Sequence, residues 1–173
     1  MPALELFVLP PDVADLPADE NLVLDPPVSG LGRVLLRRLA CHIRVPPTPG
    51  VKLAILDTGA PLTLFPHHVW SQDYGWQAGL DYDELPIPGV ALSGQILHHH
   101  YSFRLARLRV PVVLAGKNRK GDRLRLDSLV CQLADPGGPP FIVLGLWGGP
   151  FTNRRLVVES EPAGDDLLAR LEF

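Results

Sequence analysis

The stretch Leu53-Ala54-Ile55-Leu56-Asp57-Thr58-Gly59-Ala60-Pro61 sets an apolar run directly against a carboxylate, a small hydroxyl residue and a glycine. Four consecutive apolar residues bounded by a turn signal read as a buried strand. Glycine at the third position of Asp-Thr-Gly permits a tight loop in which backbone N–H groups turn toward a carboxylate. Peptide hydrolysis by carboxylates alone needs two of them sharing one proton around a water. One accepts a proton from the water while the other, protonated, donates to the carbonyl oxygen of the scissile bond. Asp57 is the candidate for one member of such a pair. The triplet alone is short enough to recur by chance, and taken by itself it is better accounted for by an aspartate in a turn after a strand.

The surroundings of this stretch predict a mainly β domain. Upstream, the apolar positions between Arg33 and Val45, the turn Pro46-Pro47-Thr48-Pro49-Gly50 and the run Val51 to Leu56 read as a hairpin that delivers the Asp57 loop. Downstream, Pro61 to Phe65 is a further strand, and Pro66 opens a short helix through Gln72. Gly75 to Glu84 is irregular. His98 to Val110 alternates as a long strand, with Tyr101, Phe103 and Leu105 on one face and Ser102 and Arg104 on the other. Val112 to Leu114 and Leu124 to Leu133 flank a charged hairpin tip at Lys117 to Arg123. Phe141 to Leu144 is a buried strand ending at Gly145, Leu156 to Glu159 a late strand, and Asp165 to Leu171 a short C-terminal helix. Nineteen prolines and sixteen glycines in 173 residues favour short strands joined by turns over long helices. Residues 1–30 are rich in proline and aspartate and read as an extended arm, with a short strand at Leu4 to Leu9. Residues 31–173 form one barrel-like β domain.

Composition narrows the function. A formal net charge of −3 argues against a general nucleic-acid binder, which needs a basic surface to neutralise phosphates. The two cysteines, Cys41 and Cys131, lack the paired spacing of a zinc knuckle or a disulfide framework, which leaves a single disulfide between them or, as the default, two reduced, buried thiols. No basic start followed by an apolar run opens the chain, and its longest apolar runs fall far short of a membrane span. The expected location is cytoplasmic. In the run His98-His99-His100 only alternate residues of a strand share a face, and no nearby Cys or carboxylate pair completes a metal site. Ser93 and Ser102 lack the glycine elbow of a serine hydrolase. Trp70, Trp76 and Trp147 read as packing residues.

The stretch around Asp57 resembles the active-site motif of retroviral-type, retropepsin-like aspartic proteases: apolar residues, Asp-Thr-Gly-Ala, then an apolar strand, here Leu62-Thr63-Leu64-Phe65. Two looser parts follow in the family's order. Leu85 to Leu97 looks like the glycine-bearing flap hairpin that closes over substrate. Ile142-Val143-Leu144-Gly145 looks like the apolar strand ending in glycine that packs behind the catalytic loop. The resemblance spans roughly residues 33–160, and Asp-Thr-Gly-Ala is its specific part. It departs from the family after Gly145, where Leu146-Trp147-Gly148-Gly149-Pro150 replaces a helix commonly opened by Gly-Arg-Asp.

The resemblance implies a retropepsin-like acid-protease β-barrel with one or two short helices, and an aspartic endopeptidase that uses no cofactor and no metal. It implies that Asp57 is the catalytic carboxylate. Thr58 would hold the active-site loop through hydrogen bonds to its counterpart in a second subunit, Gly59 would allow the turn, and Ala60 would line a substrate subsite. Gly89, Val90 and Gly94 would belong to the flap. No second Asp-Thr/Ser-Gly exists in the chain, and Asp127-Ser128-Leu129 has leucine in place of glycine. A complete pair therefore requires a symmetric homodimer acting on a peptide or protein substrate. The alternative is a catalytically inactive member of the same fold that serves as a dimerisation or peptide-binding module.

Overall fold

The computed structural model describes residues 2–9, 38–46, 50–57, 60–87, 91–96, 99–118, 123–126, 129–134, 136, 141–145, 154–160 and 167–173. It is mainly β. In chain order the strands are β1 (Ala3–Leu9), β2 (Arg38–Arg44), β3 (Lys52–Leu56), β4 (Leu64–Phe65), β5 (Tyr82–Glu84), β6 (Leu92–Ile96) and β7 (His99–Leu108). After them come β8 (Val113–Ala115), β9 (Arg123–Arg125), β10 (Leu129–Leu133), β11 (Ile142–Leu144), β12 (Arg155–Ser160) and β13 (Leu167–Glu172). Their hydrogen-bonded order is β12-β13-β1-β2-β3-β11-β4-β10-β7-β5, with β6 on β7 and the β8–β9 hairpin on β2. The sheet is mixed: β11 runs parallel to β3 and antiparallel to β4, and β10 runs parallel to β4. No helix among the described residues is long and apolar enough to cross a membrane.

Side-chain alternation sorts the sheet into two apolar layers, as the two-residue period of a strand requires. On β11, Ile142 and Leu144 enter the main core with Leu4, Ile43, Ala54 and Phe65. Val143 points the other way, into a smaller cluster with Leu64 and Leu133, against which Ala60, Tyr101, Phe103 and Phe141 pack. All three β11 side chains are buried. This explains why the strand is apolar without interruption, as strands covered on both faces are.

The helix expected after Pro66 is present as a single short turn of helix, His68–Asp73. The Pro66 carbonyl starts it by accepting from the N–H groups of Val69 and Trp70 at 3.0 and 3.1 Å. Trp70 closes it onto the sheet: its indole N–H donates to the Leu133 carbonyl at 2.9 Å, and the Arg104 guanidinium lies 5.5 Å from its ring centre. Trp70 and Trp76 are buried. Trp147 lies outside the described residues.

Four local expectations change. The helix expected over Asp165 to Leu171 is not formed at its described residues, since Leu167–Glu172 is strand β13, paired with both β12 and β1; Asp165 and Asp166 lie outside the described residues. The leucines, alanine, arginine and glutamate of β13 favour helix in isolation, but two flanking strands satisfy its backbone and bury Ala169 and Leu171. The strand expected over Pro61 to Phe65 is confined to Leu64–Phe65. Gly75 to Glu84 is not wholly irregular, because Tyr82–Glu84 pairs with β7 and Tyr82 is buried. Leu124 to Leu133 is two strands rather than one: β9 pairs with β8, and β10 with β4 and β7. At the start of the chain, β1 is fully engaged, with Ala3 to Leu6 on β13 and Phe7 to Leu9 on β2. Residues 10–37 lie outside the described residues.

Candidate active site

The β2–β3 hairpin pairs Leu39 with Leu56 and Ile43 with Lys52, and Asp57 is the first residue beyond its β3 arm. The Asp57 N–H donates to the Leu144 carbonyl on β11 at 3.0 Å. The Asp57 carbonyl in turn accepts from the Ala60 N–H at 3.3 Å, which closes a tight turn. Asp57 itself is exposed in the single chain. Thr58 and Gly59 lie outside the described residues.

Beyond this turn the chain crosses the end of β11 and returns on its other side. Strand β11 is flanked by β3, paired Val143 to Ile55, and by β4, paired Val143 to Leu64. The loop joining β3 to β4 therefore passes over the residue that follows β11, which is Gly145. A Cβ at position 145 would stand 2.4 Å from the carbonyl carbon and oxygen of Leu62 and 2.8 Å from the Ala60 carbonyl oxygen. Only a residue without a side chain lets backbone approach backbone this closely. The Gly145 N–H points at the buried Thr63 hydroxyl, which accepts at 3.4 Å. The expected partners Asp57, Ala60, Ile142, Val143, Leu144 and Gly145 are thus gathered into one crossing of the chain.

The β2–β3 register adds a residue that was not expected. One step beyond the Leu39–Leu56 pair, Arg38 stands across from Asp57, and on its other side it pairs with Leu9 of β1. Arg38 is half-buried. Burial lowers its guanidinium below the usual range, and the Asp57 charge works in the opposite direction. The turn alone does not give this contact: a hairpin centred on Pro46 to Gly50 sets position 38 opposite position 58, and the observed register, Leu39 with Leu56, shifts it by one to position 57.

Gly94 lies on β6 opposite Tyr101, in a hairpin that runs from Leu92 paired with Phe103 to Ile96 paired with His99. The hairpin therefore draws its second arm from the long strand β7 and is not contained within Leu85 to Leu97. A Cβ on Gly94 would stand 2.7 Å from the Phe103 ring, so the ring lies over the glycine. Gly89 and Val90 lie outside the described residues. At the base of the hairpin, a cavity of about 310 Å³ is walled by Leu85, Pro86, Leu92, Phe103, Leu105 and Ala134. Phe103 belongs both to this wall and to the small cluster that carries Ala60. An apolar path therefore joins the hairpin to the Asp57 turn.

One chain brings a single Asp-Thr-Gly carboxylate, with an arginine beside it, to this crossing. Compared with known proteins, the chain matches no family model and no curated protein sequence.

Proposed function

We propose that this chain is one subunit of a homodimeric aspartic endopeptidase with a retropepsin-like barrel, in which Asp57 is the catalytic carboxylate. The observation that carries this reading is the crossing itself. Asp57 is tied to β11, and the loop that bears it packs against Gly145 so closely that no side chain fits. A turn that served only to reverse the chain after a strand would need neither feature. The β6–β7 hairpin, joined to Ala60 through Phe103 and the small apolar cluster, supports a role in covering an extended peptide.

A pair of Asp57 carboxylates across a two-fold axis performs the chemistry without a cofactor. Two like charges held close together do not both ionise, so the pair retains one proton. The ionised member takes a proton from the water between them as that water attacks the scissile carbonyl. The protonated member donates to the carbonyl oxygen, giving a tetrahedral intermediate whose collapse releases the two peptide products. Because the singly protonated pair is the working form, cleavage is expected to be fastest in mildly acidic to near-neutral solution.

The second reading is an inactive dimerisation or peptide-binding module of the same fold. It is favoured by Arg38, whose charge beside Asp57 can neutralise a carboxylate instead of leaving it to share a proton. Cleavage of a diverse peptide mixture by the purified chain, followed by mass spectrometry, separates the two. The protease reading expects cleavage that Asp57→Asn abolishes. Products that persist unchanged in Asp57→Asn overturn the mechanism, and the absence of products throughout mildly acidic to near-neutral solution favours the module.

A further inference from the structure

Strand β12 closes one end of the strand order, paired with β13 on one side and, among the described residues, with no strand on the other. An edge strand presents a row of backbone N–H and C=O groups, a template for pairing with another chain. Directly opposite residues of an antiparallel pair share a face. Leu156 and Val158 therefore stand with Leu171 and Ala169 on the face turned to the core, while Arg155, Val157 and Glu159 stand on the outer face. Val158 remains 48% exposed although it shares a face with buried Ala169. On the outer face, Arg170 donates to Glu172 at 2.9 Å and to Glu159 at 2.8 Å, and Arg155 is paired with Glu172. The charges alternate in sign up to the edge of the sheet.

We propose that the occupant of this edge is a second copy of the same chain, its β12 antiparallel to the first and Val157 facing its own copy on a two-fold axis normal to the sheet. Such an axis preserves faces, so odd-numbered residues pair with odd-numbered ones. Charge selects the register. With Val157 at the centre, Arg155 of each copy stands opposite Glu159 of the other, twice over, and Leu156 stands opposite Val158. Centring on Leu156 places Arg155 against Val157, and centring on Val158 places Glu159 against Val157. The Val157-centred register extends the alternating charges of the outer face across the junction. It also covers Val158 with Leu156 of the second copy.

This inference goes beyond the half-site reading and stands apart from it, since β12 lies four places from β3, the strand before Asp57, in the strand order, and its test does not depend on cleavage. Sedimentation of the full chain over a range of concentrations is expected to show a dimer. Arg155→Glu and Glu159→Arg each set like charges opposite one another and are expected to weaken association by at least about tenfold. The double variant R155E/E159R restores opposite charges and is expected to recover most of the lost affinity. A wild-type chain that stays monomeric, single variants that associate as the wild type does, or a double variant no better than the singles would overturn the interface. Hydrogen exchange gives a reading that needs no variant: β12 amides are expected to exchange more slowly in concentrated than in dilute wild-type protein, and equal rates count against pairing. A dimer that obeys the charge swap but cleaves nothing removes the protease and keeps the interface. Asp57-dependent cleavage in a protein whose association ignores the swap does the reverse.

Discussion

The N–H of Asp57 donates to the carbonyl oxygen of Leu144 at 3.0 Å, so the carboxylate-bearing residue is anchored to a strand that arrives more than eighty residues later in the chain. The placement of Asp57 thus depends on β11 and on whatever holds β11 beneath the loop. Gly145, one residue on, is where that dependence is most exposed.

Gly145→Ala is expected to destabilise the protein by at least about 2 kcal/mol, because the new methyl group meets backbone atoms that cannot rotate away. The denaturant midpoint measures it. A midpoint equal to that of the wild type means that the loop over Gly145 stands farther off than the crossing requires. The loss should also be larger than that of Gly94→Ala, where the obstacle is the Phe103 ring, a side chain able to turn aside.

Gln132 is fully buried on β10 between β4 and β7, and neither its amide nitrogen nor its amide oxygen has a hydrogen-bond partner among the described residues. A buried amide without partners costs on the order of 1–3 kcal/mol, and methionine offers a similar unbranched shape without that penalty. Gln132→Met is expected to raise the unfolding free energy by about 1 kcal/mol. Thermal and urea unfolding read the change, and a less stable variant would show that the amide is satisfied by a buried partner.

Cys41 is a free, buried thiol in the main core, and burial pushes its pKa up to about 12. The thiolate is the nucleophile. At pH 8 the thiolate fraction is on the order of one in ten thousand for a thiol raised that far. Iodoacetamide at pH 8 is therefore expected to leave Cys41 unmodified in the folded protein and to alkylate it promptly in denaturant. Peptide mapping distinguishes Cys41 from Cys131, and rapid modification of Cys41 in native conditions would contradict its burial.

The parts of the fold legible in the sequence are those set by short-range signals. The uninterrupted apolar run before Asp57, the Pro-rich turn before it and the alternation from Tyr101 to Leu105 announce β3, the β2–β3 hairpin and β7 without reference to the rest of the chain. β13 was not legible, because Leu167 to Leu171 reads locally as helix and becomes strand only between β1 and β12. β5 was hidden by its own charges. Asp83 and Glu84 read as loop, but they face Arg109 and Arg104 across to β7 and leave Tyr82 to the core. At the candidate site, Asp57 and Gly145 stood out by residue type. Arg38 did not, since an arginine at a strand end is unremarkable until the register sets it beside a carboxylate.

The pairing of Ala3 through Leu6 with Ala169 through Glu172 also constrains when the molecule is finished. Among the described strands β1 is synthesised first and β13 last. On the ribosome the N-terminal strand has half its length on β2 and the other half waiting for a neighbour still being translated. Pairings between such distant segments close slowly. Completion of the sheet therefore waits until β13, later in the chain than every other described strand, is available to pair. In the interval, Leu4 and Leu6, later sealed in the core, are the side chains that a chaperone would find uncovered.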